Sequence, residues 1–241
     1  MGEIPEVDRQ VRNAVRHFWR TRGRQATAAH TPDRGLRAAA TGGRQMDGFV
    51  ELLKGVLVST GVPDCDLFTN TRIELPGWFR SEKKWDLVVV RGGKDLITVV
   101  EVKSHVGPSF GNNFNNRAEE ALGSATDLWA AYREGAFRPS ARPTLGYLMV
   151  LEDSPQSRAP VATKSPHFEV FPEFTKASYR ERYAVLLRKL LRERLYDGAA
   201  LVLSKPNSAD TGDYTQPDSE ITIENLVETV RGAAMRAYRK V

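Results

Sequence analysis

The stretch from Lys84 to Lys103 reads K-W-D-L-V-V-V-R-G-G-K-D-L-I-T-V-V-E-V-K and decides the fold. Its two runs of aliphatic and β-branched residues, at 87–90 and 97–102, are typical of strands that are covered on both faces. Between them, residues 92–95 (G-G-K-D) supply the chemistry of a tight turn. The stretch therefore predicts a buried β-hairpin.

The pairing of these two strands places the polar residues at the end of the hairpin. A four-residue loop at 92–95 sets Asp86 directly opposite Glu101, whereas a two-residue turn sets it opposite Val99. In either register Asp86 and Glu101 share a face, because side chains alternate along a strand with a period of two. Lys103 shares that face. Two carboxylates and a lysine are costly to bury unless another charge joins them, so we expect a divalent cation here.

Composition limits the class of protein. The chain has 241 residues, is 41% hydrophobic and contains one cysteine, Cys65. No apolar run approaches the roughly 20 residues of a membrane helix, and the N-terminus lacks the apolar segment of a signal peptide. One cysteine excludes an internal disulfide, and no Cys/His cluster has the spacing of a zinc site. We expect a cytoplasmic protein with no membrane partner.

The net charge of +5 is concentrated near the N-terminus. Residues 1–45 contain nine arginines and four acidic residues, and this difference of five equals the excess of the whole chain. Such a segment indicates an anionic partner, with nucleic acid first, although a solvated arginine-rich face explains the charge equally well. Within this segment, Arg12, Arg16 and Arg20 have helical spacing and would form one basic stripe. Arg37 and Arg44 are candidate DNA contacts.

Hydrophobic periodicity and turn residues predict the other elements. Helices are predicted at about 6–21, 45–58, 116–132, 178–196 and 223–239. Strands are predicted at 67–75, 144–151 and 199–203, loops at 22–43 and 105–115, and core tryptophans at 78, 85 and 129. The order of the elements indicates an α/β fold in which helices flank a mixed β-sheet.

No repeat or break in composition marks a second domain. We therefore expect residues 1–241 to form a single domain with three parts. These parts are a basic helix and loop at 1–45, a catalytic core at about 46–152, and a C-terminal helical elaboration at 153–241.

The polar residues of the hairpin suit metal-dependent hydrolysis of phosphodiesters. Asp86 and Glu101 would hold Mg²⁺, which prefers oxygen ligands, and the backbone carbonyl of Val102 would complete the shell. A bound metal acidifies water and stabilises developing charge. Lys103 would orient that water or the phosphate, although two neighbouring carboxylates favour its protonated form and disfavour a general base. A salt-bridge cluster at the end of a strand is the competing interpretation.

Glu51 is a candidate for a further metal ligand. The helix at 45–58 precedes the hairpin, and it can lie over the end of the strands. Asp47, one helical turn earlier, is a weaker candidate of the same kind. A solvated helix acid explains Glu51 equally well.

The stretch at 112–117, N-N-F-N-N-R, is a candidate for DNA recognition. Asparagine and arginine make bidentate contacts to base edges, and the amides of a glycine-rich loop suit phosphates. A turn-rich helix entry is the competing explanation for any single asparagine. The candidate DNA contacts are Asn112, Asn113, Asn115, Asn116 and Arg117, together with His105, which follows Lys103 closely.

These residues also carry a resemblance to known nucleases. The W-D-L-V-V-V…E-V-K hairpin resembles the catalytic core of the PD-(D/E)XK nucleases. Three further motifs are similar to the XhoI-type restriction endonucleases: T-G-G-R-Q-M-D-G-F (41–49), L-P-G-W-F-R (75–80) and V-G-P-S-F-G-N-N-F-N-N-R (106–117). The similarity continues through 119–129 and 132–137 and then decreases towards the C-terminus.

The resemblance implies a homodimeric type II restriction enzyme that requires Mg²⁺. It implies double-stranded 5′-CTCGAG-3′ as substrate, cut after the first C to leave 5′ overhangs, and a companion DNA methyltransferase that protects the host's sites. It gives Asp86, Glu101 and Lys103 the nuclease roles. Trp85 stands where the family core has a proline that is not a ligand. Two alternatives stay open: a PD-(D/E)XK nuclease of DNA repair or recombination, and a non-catalytic DNA-binding module.

Overall fold

The computed structural model describes residues 3–28 and 44–239. The helices within these residues are α1 (Glu3–Ala28), α2 (Asp47–Ser59), α3 (Phe110–Arg133), α4 (Pro155–Arg158), α5 (Tyr179–Arg192), α6 (Ser208–Thr211) and α7 (Ile223–Tyr238). The strands are β1 (Leu67–Phe68), β2 (Glu74–Pro76), β3 (Glu82–Lys84), β4 (Leu87–Arg91), β5 (Asp95–His105), β6 (Thr144–Glu152) and β7 (Gly198–Ser204).

In the described ranges, five strands form a central sheet in the order β1-β4-β5-β6-β7. The first three pair antiparallel and the last three pair parallel, so the sheet is mixed. Strands β2 and β3 form a separate antiparallel hairpin. Parallel neighbours need long crossover connections, and α3 and α5 lie in those connections. The predicted α/β fold, with a mixed sheet flanked by helices, is confirmed.

Helices cover both faces of the central sheet. On one face, α1, α2 and α7 pack against alternate residues of β4 and β5, including Leu87, Val89, Val100 and Val102. On the other, α3 and α5 pack against the intervening residues, such as Val88. We call these the α1/α2/α7 face and the α3/α5 face. Burial on both sides explains why the two strands read as continuous apolar runs.

The turn between β4 and β5 differs from both predicted turns. Arg91 pairs with Asp95, which leaves a three-residue loop whose two glycines have φ of 58° and 73°. A bulge then adds one residue to β5, so that Leu87 pairs with Val100. The predicted four-residue loop at 92–95 is therefore wrong. The strand-end register that it implied is nevertheless the observed one, because the bulge restores the offset.

The predicted strand at 67–75 is also wrong. Only Leu67–Phe68 pairs in the central sheet, and Glu74–Pro76 belongs to the β2–β3 hairpin. Between them, Asn70 and Arg72 have φ of 65° and 57°, in the left-handed region that interrupts an extended strand.

Helices α1 and α3 are longer than predicted. Helix α1 continues to Ala28 instead of ending near residue 21. Helix α3 begins at Phe110, inside the predicted loop at 105–115, so the predicted Asn116 cap lies within the helix. Phe110 and Phe114, one turn apart, are buried, and Phe114 packs edge-on against Tyr183 of α5. This apolar contact stabilises a helical turn that glycine and asparagine would otherwise disfavour.

Two later helices begin at side-chain caps. Ser178 and Glu181 form a reciprocal capping box at the start of α5, as the sequence predicts for Ser178. Thr222 accepts from the Asn225 amide at the start of α7. Within the described residues, no helix combines the length and apolar character needed to cross a membrane.

Candidate active site

Asp86, Glu101 and Lys103 lie together where β4 begins, on the α3/α5 face. Glu101 is only 3% exposed, and the Lys103 ammonium pairs with its Oε1. Asp86 precedes β4, and its Oδ2 accepts a 2.8 Å hydrogen bond from the Val102 amide. The Asp86 amide in turn donates to the Val100 carbonyl at 3.2 Å. These contacts fix the two carboxylates side by side at the end of the hairpin.

Lys83, which sequence reasoning missed, joins this group. It lies on β3, and its ammonium donates to Glu101 Oε2 at 2.8 Å while lying 4.4 Å from the centroid of the Trp85 ring. Both Glu101 oxygens are therefore paired with lysines. Strand β3 is short and lacks apolar alternation, so no pattern predicted it; the lysine pair just before Trp85 is the one available signal. We call Lys83, Asp86, Glu101 and Lys103 the charged cluster.

The surroundings of Asp86 and Lys103 raise the pKa values of both side chains. Burial, together with the neighbouring Glu101, raises the pKa of Asp86 to about 6. Burial alone would lower the pKa of Lys103, but the carboxylates of Glu101 and Asp86 outweigh it and hold that pKa above its ordinary value. Lys103 is therefore a cation at neutral pH, the direction expected from the sequence. A protonated lysine can donate to a phosphate but cannot accept a proton from water.

The donor set fits a divalent cation. Asp86 and Glu101 offer the carboxylate oxygens that Mg²⁺ prefers. Burial and the neighbouring carboxylate of Glu101 both raise the pKa of Asp86, and a divalent cation would offset them by stabilising the ionised form. In the described part of the chain, no three His, Cys, Asp or Glu side chains converge on one point. Backbone, water and substrate oxygens are further ligands of the kind that Mg²⁺ accepts.

Glu51 is not brought to the charged cluster. Helix α2 packs on the α1/α2/α7 face, so the sheet separates it from the side chains of Asp86 and Glu101. Glu51 is exposed. Its charge acts on Asp47, whose pKa is raised mainly by burial and additionally by Glu51. This placement gives no support to Glu51 as a further metal ligand, and that assignment stays a prediction.

The asparagine-rich stretch forms the first turns of α3 instead of a loop. Asn112, Asn115 and Asn116 are exposed, and Asn113 is half-buried. Arg117 pairs with Glu120, and the charge of Glu120 also contributes to the raised pKa of Lys103. The start of α3 therefore lies beside the charged cluster, with amide side chains directed to solvent.

His105 is a core residue. It is 2% exposed, its Nδ1 lies 2.8 Å from the Tyr183 hydroxyl, and its ring packs 4.8 Å from that of Phe110. Burial, aided by the charge of Arg117, lowers the pKa of His105 to about 4, so the ring is neutral. The prediction that His105 contacts DNA is corrected, because α3 and α5 enclose the ring.

The arginine stripe of α1 has intramolecular partners. Arg12 pairs with Asp213 at 2.9 Å, and Arg16 donates to two backbone carbonyls of α6, those of residues 210 and 211. This stripe therefore attaches α1 to α6. Arg44 is exposed, and its carbonyl lies 2.9 Å from His17 Nε2. Arg37 lies outside the described residues.

Comparisons with known proteins agree on one family. The family described as Restriction endonuclease XhoI matches residues 24–216. The type II restriction enzyme BstVI of Geobacillus stearothermophilus is 52% identical over 195 residues, covering 79% of this chain and 87% of the relative. The type II restriction enzyme XhoI of Xanthomonas vasicola is 46% identical over 194 residues, covering 78% and 77%.

A third relative extends the agreement. The type II restriction enzyme AbrI of Azospirillum brasilense is 44% identical over 170 residues, covering 69% of this chain and 76% of the relative. No solved structure gives a significant match. The family match contains the whole charged cluster and the start of α3. The chain therefore belongs to the XhoI family of type II restriction endonucleases, which are site-specific deoxyribonucleases.

Proposed function

We propose that the protein is a Mg²⁺-dependent restriction enzyme that cleaves double-stranded DNA at 5′-CTCGAG-3′, after the first C. The observation that carries this proposal is the charged cluster, which lies at the end of a buried hairpin in a chain of this family. The recognition sequence is the one that the family resemblance implies. Asp86 lies at the start of β4, and Glu101 and Lys103 form an E-x-K motif on the neighbouring β5. This arrangement also supports a PD-(D/E)XK core.

The members of the charged cluster take distinct roles. Asp86 and Glu101 hold the cation, with the Val102 carbonyl as a further oxygen. When bound, Mg²⁺ supplies an acidified water and neutralises charge on the phosphate. Lys103 orients the water or the scissile phosphate, and Lys83 offers a second ammonium beside the same carboxylate.

The charge balance of the cluster supports these roles. Two carboxylates and two ammonium groups sum to zero, so a bound divalent cation would give the site a net positive charge that attracts a phosphate. A cation bound at Glu101 would draw on the same carboxylate charge and weaken its ion pairs with the two lysines. Lys83 or Lys103 is then the ammonium that is available to the phosphate.

The palindromic substrate bears on the oligomeric state and on the DNA contacts. A palindromic site presents two equivalent strands, which a homodimer with two identical active sites would match. Asn112, Asn113, Asn115, Asn116, Arg117 and Arg44 are the proposed DNA contacts. We propose that residues 1–241 act as one domain in the cytoplasm, beside a companion methyltransferase that protects the host's DNA.

A plasmid digestion tests this function. A sequenced plasmid with a single CTCGAG site is incubated with the enzyme and Mg²⁺, and the ends are mapped. We expect full-length linear DNA with 5′ overhangs, and no cutting in EDTA or on a matched plasmid with one base pair of the site changed. A smear, or cutting that requires a free end, would instead indicate the repair or recombination nuclease. Magnesium-independent binding without cutting would indicate the non-catalytic module.

A further inference from the structure

The β2–β3 hairpin carries two exposed aromatic side chains at its tip. Trp78 is 55% exposed and Phe79 is 73% exposed, although the sequence predicts Trp78 as a core residue. Both belong to the L-P-G-W-F-R motif at 75–80. Neither has a role in the proposed function so far. A pair of adjacent exposed aromatic rings is a feature that needs an explanation.

The tip is held in one conformation by a buried carboxylate. Asp127 of α3 is 4% exposed, and its Oδ1 accepts from the amides of Trp78 and Phe79 at 2.8 and 2.7 Å. Its Oδ2 accepts from Arg80 Nε at 2.7 Å. A Cβ at Gly77 would lie 2.4 Å from Asp127 Oδ2, so only glycine allows this approach. The rings are therefore presented by a rigid turn, which lowers the entropy cost of binding through them.

The other end of the same hairpin reaches the charged cluster. Strand β3 pairs with β2 along its length, and its central residue, Lys83, donates to Glu101. Lys83 lies four positions after Phe79, a span of at most about 13 Å at about 3.3 Å per residue. This reach is close to the width of the major groove of DNA, about 12 Å. A duplex with a phosphate at the cluster therefore lies within reach of the tip.

Charge and continuity favour DNA as the occupant of this surface. On the same hairpin, the side chain of Lys84 is 73% exposed and pairs loosely with Glu74 at 3.4 Å, and that of Arg80 is 44% exposed beside Asp127. Cations beside exposed aromatic rings suit a surface that meets both phosphates and bases. Phe168 and Phe171 are also exposed, but they lie on the segment that precedes α5, where Lys189 packs over the Phe171 ring.

We infer that the Trp78–Phe79 tip binds duplex DNA beside the scissile phosphate, by packing against sugars or inserting at a base step. The rigid hairpin then couples this contact to the position of Lys83 at the cluster. The inference rests on the proposed function, because that function supplies the duplex.

Binding to a labelled duplex in EDTA tests the inference without cleavage. Trp78→Ala and Phe79→Ala are each expected to weaken binding about tenfold, within the range of aromatic stacking on a base. Phe168→Ala and Phe171→Ala are the matched controls and are expected to bind as the wild type does. Circular dichroism and unfolding midpoints confirm that each variant folds. In a duplex series with 2-aminopurine at successive positions, increased fluorescence at one step that Trp78→Ala abolishes would support insertion.

Three results separate the possible failures. Wild-type affinity in both tip variants would overturn the inference and leave the proposed function intact. A tip variant that turns a dimer into a monomer in sedimentation, with unchanged affinity per site, would also overturn it, because the tip would then bind a second copy of the chain. Failure of the wild-type protein to bind or cut the CTCGAG duplex would instead overturn the proposed function.

Discussion

The two faces of the β4–β5 hairpin are built from alternate residues of the same strands, yet they differ sharply in composition. On the α1/α2/α7 face, Val100 and Val102 are buried among apolar side chains. On the α3/α5 face, Glu101 and Lys103 occupy the intervening positions and pair with each other. Adjacent positions of β5 therefore have different roles: one stabilises the fold, and the next belongs to the proposed active site.

This difference has an energetic basis. Each large apolar side chain on the first face contributes about 1.5–3 kcal/mol to stability through burial. The charged cluster on the second face loses hydration, and lysine pairing compensates much of that loss, so its net contribution to stability is small. The comparison therefore predicts that substitutions on the two faces have separable effects.

The largest expected effect is on cleavage. Glu101→Gln should reduce the single-turnover rate about 10⁴-fold, about 5.5 kcal/mol of barrier, because a metal ligand and a lysine partner are lost together. Binding to the CTCGAG duplex in EDTA should be retained or tighter, since one negative charge is removed. Val100→Ala, one residue away on the opposite face, is the control and should cut at the wild-type rate per folded molecule. A Glu101→Gln enzyme of undiminished rate would contradict the assigned site.

The next effect is on stability. Leu148 is fully buried on β6 and points to the α1/α2/α7 face. Leu148→Ala should lower the free energy of unfolding by about 3 kcal/mol, measured by urea titration, because it leaves a cavity. Val58→Ala, at an exposed position, is the control and should change it by less than about 0.5 kcal/mol. If Leu148→Ala abolished cleavage in fully folded protein, the two faces would not be separable.

The smallest of these effects concerns pH. Unfolded histidine has a pKa of about 6.5, whereas that of His105 is about 4 in the fold. Between these values the unfolded chain binds more protons, so acidification favours unfolding. This group should remove about 2 kcal/mol of stability between pH 7 and pH 5, seen in urea titrations at both values. The His105→Asn variant should lose that part of the pH dependence. His167 is exposed, so the His167→Asn variant is the control and should retain it. An unchanged dependence in His105→Asn would show that the ring does not titrate this way.

Strand periodicity predicted the central part of the molecule well. Alternation brought Asp86, Glu101 and Lys103 to one face, because that relation holds in both predicted registers and the bulge in β5 restores it after the three-residue turn. The bulge in β5 could not be predicted, since its position depends on how the three-residue turn fits the twisted strands.

Features that depend on distant packing were harder to predict. The sequence at the start of α3 predicts a loop, because glycine and asparagine disfavour helices. The packing of Phe114 on Tyr183 outweighs this low helix propensity. The separation of Glu51 from the cluster depends on which face α2 covers, and helical periodicity does not specify that face. Lys83 reaches Glu101 only because β2 folds back on β3, a pairing without an apolar signature.

The three-residue turn between β4 and β5 also has a consequence for how the protein is made. Asp86, Glu101 and Lys103 lie at the ends of β4 and β5, so closure of this short loop brings the strands that position them together. The β5–β6 pairing, by contrast, must join Thr98 to Thr144. Contacts between residues close in sequence form sooner than distant ones. During synthesis the β4–β5 hairpin can therefore form before β6 has been made, and the edge of β5 is then unpaired. An unpaired strand edge is the place where incorrect pairing or aggregation begins.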